Sequence, residues 1–234
     1  MLVVSTTTSA ARQVKGLRTT VALKIVMAVT GIIFLLFVLA HMYGNLKALS
    51  GQEAFDDYAH HLRVLGEPML PYSGFLWVMR IVLVVSLVLH VWSAARLTRR
   101  KRGARTQKYT VKKAVASTLS SRTMMWGGIA LLLFVVFHIL QFTTLTIEVG
   151  GSFDSPHERF VAAFEVWWLL AIYVVAMVAL GMHLRHGVWS AVQTLGWSNR
   201  RRQPAIKAAA LAVALVVVVG FLLPPFAVAL GIVN

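Results

Sequence analysis

KIVMAVTGIIFLLFVLAHMYGNL, residues 24 to 46, carries one charge at its first position and none after it. As a helix rising 1.5 Å per residue it is long enough for the roughly 30 Å of a bilayer's hydrocarbon core, which takes about 20 apolar residues. Lipid offers no partner to an unpaired backbone group, so a stretch of this kind predicts a membrane-spanning helix. Four more stretches read the same way. The expected spans are approximately 25–46, 75–97, 124–147, 160–184 and 206–233, the last interrupted by Pro224 and Pro225, which should kink it. Short alternating strands are absent, which argues against a membrane barrel.

The whole chain agrees with that solvent. Its 234 residues are 58% hydrophobic and 13% charged, with a mean hydropathy of +0.74. The reading is therefore all-α, a single five-helix integral membrane bundle over 25–234 preceded by a 1–24 tail.

A net charge of +15 would suggest nucleic acid in a soluble protein, but here the charges sort by side of the membrane. Arg12, Lys15, Arg18 and Lys24 precede the first span, and Arg96 to Arg122 contribute a dense basic run after the second. Arg185, Arg200, Arg201, Arg202 and Lys207 follow the fourth. These regions hold no Asp or Glu. All the acidic residues, Glu53, Asp56, Asp57, Glu67, Glu148, Asp154, Glu158 and Glu165, belong to the opposite side. By the positive-inside rule the N-terminus is expected in the cytoplasm and the C-terminus outside. Orientation and anionic lipid account for RRKRGAR better than nucleic acid does, and docking of a cytoplasmic partner is a third use for that loop. The sequence has no cysteine, so disulfides, thiolate iron–sulfur clusters and c-type haem attachment are excluded on this chain. The N-terminal stretch lacks a cleavable signal of the usual form, and the first span is expected to act as its own targeting signal.

Between the spans, Ser50 and Glu53 have the spacing of a capping box, and Phe55, Tyr58, Ala59, Leu62 and Leu65 recur at helical spacing, predicting a short interfacial helix over the outer ends of the spans. Ser155, Pro156 and Glu158 fit the opening of an extended fourth helix. No internal repeat stands out strongly enough to guide the reading.

His41, His90, His138 and His183 sit one in each of four spans. Helical rise puts His41 roughly 25 Å above Lys24 and His138 roughly 21 Å above Met124, both in the outer half. His90 and His183 lie within roughly 10 Å of the cytoplasmic side, so the two layers are roughly 15 Å apart. Two imidazoles fill both axial positions of a haem iron, and a filled coordination sphere favours electron transfer, so the pattern reads as two bis-histidine haem b sites: His41 with His138, and His90 with His183. Interhelical hydrogen bonding is the plain alternative for any single member. His186 competes with His183; His60, His61 and His157 are expected on a solvated external surface. Gly31, Ala40, Gly44, Ser86, Gly127, Gly128 and Gly181 are small enough to leave room for a macrocycle. Arg18, Lys24, Arg96 and Arg185 are inner candidates for haem propionates, and Arg80 an outer one. Arg80 and Glu165 lie at similar depth and could pair, or each could reach the surface.

The segments KIVMAVTGIIFLLFVLAHMYGNL, EAFDDYAHHLRVLG, GARTQKY, SRTMMWGGIALLLFVVFHILQFT and HLRHGVWS resemble the dihaem cytochrome b membrane anchor of succinate dehydrogenase and fumarate reductase, most closely the single-subunit, five-helix type found with menaquinone-using enzymes. The resemblance covers nearly the whole chain. It implies that His41 and His138 ligate the outer iron and His90 and His183 the inner one. It also implies cytoplasmic partners, a flavoprotein with covalent FAD and an iron–sulfur subunit, that pass electrons from succinate toward quinone in a bacterial inner membrane, with room for a higher oligomer of the complex. Tyr43, Arg63 and Glu67 could line an outer quinone site and Trp92 an inner one; no motif identifies the quinone residues. Rival readings are the cytochrome b of another membrane dehydrogenase and a proton-coupled transporter with buried histidines.

Overall fold

A computed structural model describes residues 19–103 and 119–234, with backbone alone at 102 and 119–122. The described residues form seven α-helices and no strand: α1 (Thr20–Leu46), α2 (Gln52–Val64), α3 (Gly74–Gly103), α4 (Leu119–Phe142), α5 (Pro156–Phe164), α6 (Trp167–Thr194) and α7 (Gln203–Ala229). Five of them, α1, α3, α4, α6 and α7, are long and apolar enough to cross a membrane. Their outward faces stay apolar: Val88 is 62% exposed, Leu133 67% and Val175 69%, surface that water would not tolerate over five helices but that acyl chains would cover.

Helix α1 starts five residues into what the sequence suggested was tail. Thr19 caps it, its Oγ1 accepting from the Ala22 N–H at 3.0 Å, and Arg100 near the end of α3 donates to Thr20 at 3.0 Å. The antiparallel pair α1/α3 is thereby tied at its ends. Packing runs from α3 to α1, from α1 to α6 and from α6 to α4, while α7 lies against both α1 and α6. No comparable packing joins α1 to α4, α3 to α6 or α3 to α4 among the described residues.

The core is concentrated at the end of the bundle that α2 and α5 cover. Phe160, Phe164, Leu169, Tyr173 and Val228 are buried together there, with Phe55, Phe134, Phe137 and Phe142 against them.

Several sequence expectations need correction at this end. The fourth span is not one helix from 160 to 184. Helix α5 stops at Phe164, Val166 is extended, and α6 begins at Trp167. The break lets α5 turn its apolar face onto α2 and α7, and it leaves Glu165 exposed rather than carried along an apolar segment, where a charge is costly. Helix α4 ends at Phe142, five residues short of the expected 147, because the chain turns through Thr143 to Ile147 with Leu145 at φ 54°. The capping box at Ser50 is absent: Lys47–Ser50 is a 3₁₀ turn, and Gly51, with φ 93°, precedes α2 without a side-chain cap. Pro224 and Pro225 lie buried inside α7, which continues through them to Ala229.

The N-cap at Ser155 is formed, and it has an unforeseen partner. Ser155 Oγ accepts from the backbone N–H of His157 (3.1 Å) and Glu158 (3.3 Å) and donates to Asp56 on α2, whose other oxygen accepts from the His157 N–H at 3.0 Å. His157 is consequently 2% exposed, packed edge-on to Phe55, instead of lying on a solvated loop. His60 and His61 are exposed.

Candidate functional site

Helices that do not otherwise pack against each other bring the four span histidines together in two pairs. His41 of α1 and His138 of α4 have ring centroids 5.8 Å apart; His90 of α3 and His183 of α6 are 6.2 Å apart. An imidazole nitrogen lies about 1 Å from its ring centre and binds a transition metal at about 2 Å, so two imidazoles on opposite sides of one iron have centroids roughly 6 Å apart. Both pairs fit that separation. The described residues contain no group of three or more His, Asp or Glu placed to hold a bare ion, which a zinc-like site would want.

Hydrogen bonds settle which nitrogen is free on one member of each pair. Thr30 Oγ1 lies 2.8 Å from the Val26 carbonyl and 3.2 Å from that of Met27, so its proton is given to the backbone and it accepts from His90 Nδ1–H at 3.0 Å. The Tyr173 hydroxyl donates to Gln141 Oε1 at 2.9 Å and so accepts from His138 Nδ1–H, also at 2.9 Å. In both cases Nε2 keeps the lone pair that a metal needs, the arrangement by which a second partner orients a ligating imidazole. His183 Nδ1 is buried with no partner. Thr30, Tyr173 and Gln141 were not singled out from the sequence, because a hydroxyl or amide in an apolar helix carries no periodic signal.

Apolar and small side chains shape the rest. Phe37 stacks on His41 (5.4 Å, 9° between planes) and Phe134 on His138 (5.8 Å, 24°). A Cβ added to Gly31 would lie 3.7 Å from His90 Cε1, and one added to Gly128 would lie 3.7 Å from His183 Cε1. These two glycines face the His90–His183 pair. Gly44 serves instead for the approach of Tyr58, and Gly181 for that of Val218 on α7.

These parallels belong to an internal repeat, contrary to the expectation from sequence. GIIFLLFVLAH, from Gly31 to His41, and GIALLLFVVFH, from Gly128 to His138, agree at seven of the eleven positions. The same offset lays Val91-Trp92-Ser93-Ala94 on Val188-Trp189-Ser190-Ala191. The molecule thus contains two related helix pairs, α1/α3 and α4/α6, each with a glycine facing the histidine of its companion helix. His183 stands one turn from the position matching His90, opposite Ser86, and that shift of register obscures the repeat in the sequence.

Other candidates stay apart from the pairs. His186 is packed edge-on to Trp189, while His183 is the neighbour of His90. Arg80 lies over the Trp77 ring at 4.9 Å and Arg96 over Trp92 at 5.8 Å; both are exposed, as are Lys24 and Arg185, and Arg18 lies outside the described residues. Arg80 forms no ion pair with Glu165, since α3 packs on α1 and α2 and not on α5 or α6. Tyr43 contacts Tyr58 and Lys47, Arg63 donates to the Ala59 carbonyl, and Glu67 and Trp92 are exposed.

No family model, curated protein or solved structure matches this chain.

Proposed function

We propose that this protein is the cytochrome b membrane anchor of a succinate dehydrogenase or fumarate reductase, connecting a cytoplasmic iron–sulfur subunit and its FAD flavoprotein to menaquinone. The observation that carries the reading is the pairing of four span histidines at 5.8 and 6.2 Å, one of each pair with its Nδ1–H engaged by a hydroxyl. Two b haems held by these pairs would supply one-electron carriers at two depths of the bilayer.

The chain's own residues orient and insulate. Thr30 and Tyr173 set the tautomer of His90 and His138; Gly31 and Gly128 leave flat space beside the inner imidazoles; Phe37, Phe134 and Phe142 exclude water around the outer pair. The asymmetry of basic loops supports a cytoplasmic N-terminus and an external C-terminus, with the inner pair toward the partners, in a bacterial inner membrane. The proposed electron donor rests on the resemblance of the sequence motifs, and the paired histidines alone would equally suit the cytochrome b of another dehydrogenase.

Reduced-minus-oxidised spectra of the purified complex test the reading. Two b-type components are expected, with His41→Ala or His138→Ala removing one and His90→Ala or His183→Ala removing the other. A colourless protein overturns it in favour of a transporter, and copurification with a molybdenum or nickel enzyme instead of a flavoprotein reassigns the partner.

A further inference from the structure

The two helix pairs share the glycine-to-histidine stretch of their first helices and the Val-Trp-Ser-Ala run of their second, yet their histidines are not held alike. In α1/α3, Thr30 stands immediately before Gly31 and accepts from His90 Nδ1–H at 3.0 Å. In α4/α6 the residue before Gly128 is Gly127, with no hydroxyl to offer, and His183 Nδ1 is buried without a partner. The outer histidines differ in the opposite sense. Tyr173 accepts from His138 Nδ1–H at 2.9 Å, and the corresponding residue of the first helix pair is Leu76. Thr30 is 4% exposed, Tyr173 7% and Gln141 3%, so these bonds form away from competing water. Each acceptor has already given its own proton away, Thr30 to the backbone and Tyr173 to Gln141, which strengthens it as an acceptor.

We infer that Thr30 and Tyr173 are positioning residues that each clamp one imidazole of a pair, His90 of the inner site and His138 of the outer, so that each site joins one anchored histidine to one from the other helix pair for which the described residues supply no such hydroxyl. The inference rests on the proposed haem sites. An acceptor on Nδ1–H makes an imidazole more basic, which favours the oxidised metal, and it fixes the ring plane. The two hydroxyls therefore tune the two sites separately. Gly127 offers a place to add a third: a Cβ there would meet nothing within 4 Å, and it lines a small pocket with Thr123, Met182 and His183.

Redox titration of the two b components, with low-temperature electron paramagnetic resonance of the oxidised complex, tests this without reference to turnover. Thr30→Val is expected to raise the midpoint potential and change the resonance of the inner component alone, with Thr30→Ser restoring both. Tyr173→Phe, which keeps the ring against Phe134 and Phe164, is expected to do the same to the outer component alone. Gly127→Thr is expected to lower the inner potential. Loss of the inner signal in Thr30→Val but not in Thr30→Ser also assigns the hydroxyl, whereas its loss in both variants assigns mere packing and overturns the inference. So do unchanged potentials in Thr30→Val and Tyr173→Phe complexes that retain both components. A wild-type complex without b-type absorption instead removes the haem reading itself.

Discussion

Gly31 and Gly128 show how little room a single residue leaves around His90 and His183. At 3.7 Å from an imidazole carbon, an added methyl makes an ordinary contact, so under the proposed haem reading Gly128→Ala should retain both b-type components. Gly128→Leu carries atoms past that contact into the space beside the ring, and overpacking of this kind is not absorbed by small shifts. The expected outcome is loss of the inner component with the outer one intact, read from difference spectra; loss of both would indicate a misfolded bundle. His157 makes the opposite point about residues between spans. Its position suggested solvent, but burial followed from Asp56, a residue about a hundred positions earlier that reaches its backbone. Burial decided by a distant carboxylate leaves no local trace in sequence.

The spanning helices were legible because a bilayer imposes both a length and a composition on any helix that crosses it. The division of the fourth span into α5 and α6 was not. No proline or glycine marks Val166, and what ends α5 is tertiary: an apolar face formed by Phe160 and Phe164 that packs under α2 and against α7. Which histidines meet was readable from helical rise, while the clamps on His90 and His138 depended on hydroxyls whose partners lie on other helices. The cap that α2 and α5 form over one end of the bundle should behave as one cooperative element. Ser155→Ala removes an N-cap and should cost about 1 kcal/mol, and Asp56→Ala a similar amount. Because both side chains share the His157 N–H, the double variant should cost less than the sum of the two single changes in thermal unfolding of the detergent-solubilised protein, whereas strict additivity would show that α2 and α5 are independent.

For the whole molecule, the direction of the proposed electron route depends on orientation, and the cysteine-free sequence makes orientation measurable. Single variants Asn199→Cys and His60→Cys, both at exposed positions, should react with a membrane-impermeant maleimide from opposite sides of sealed vesicles, Asn199→Cys from the cytoplasmic one. Labelling in the reverse sense would invert the proposed route. The arrangement of helices has a further meaning for assembly. Among the described residues His41 and His138 lie on helices with no substantial packing between them, and so do His90 and His183, so under the proposed function a metal bound between each pair would act as a cross-brace on the frame. On this reading the prosthetic groups are scaffolding as well as wiring: a ligand that binds only the assembled frame stabilises it by mass action. The amount of finished anchor in a cell would then follow the supply of porphyrin as closely as the supply of polypeptide.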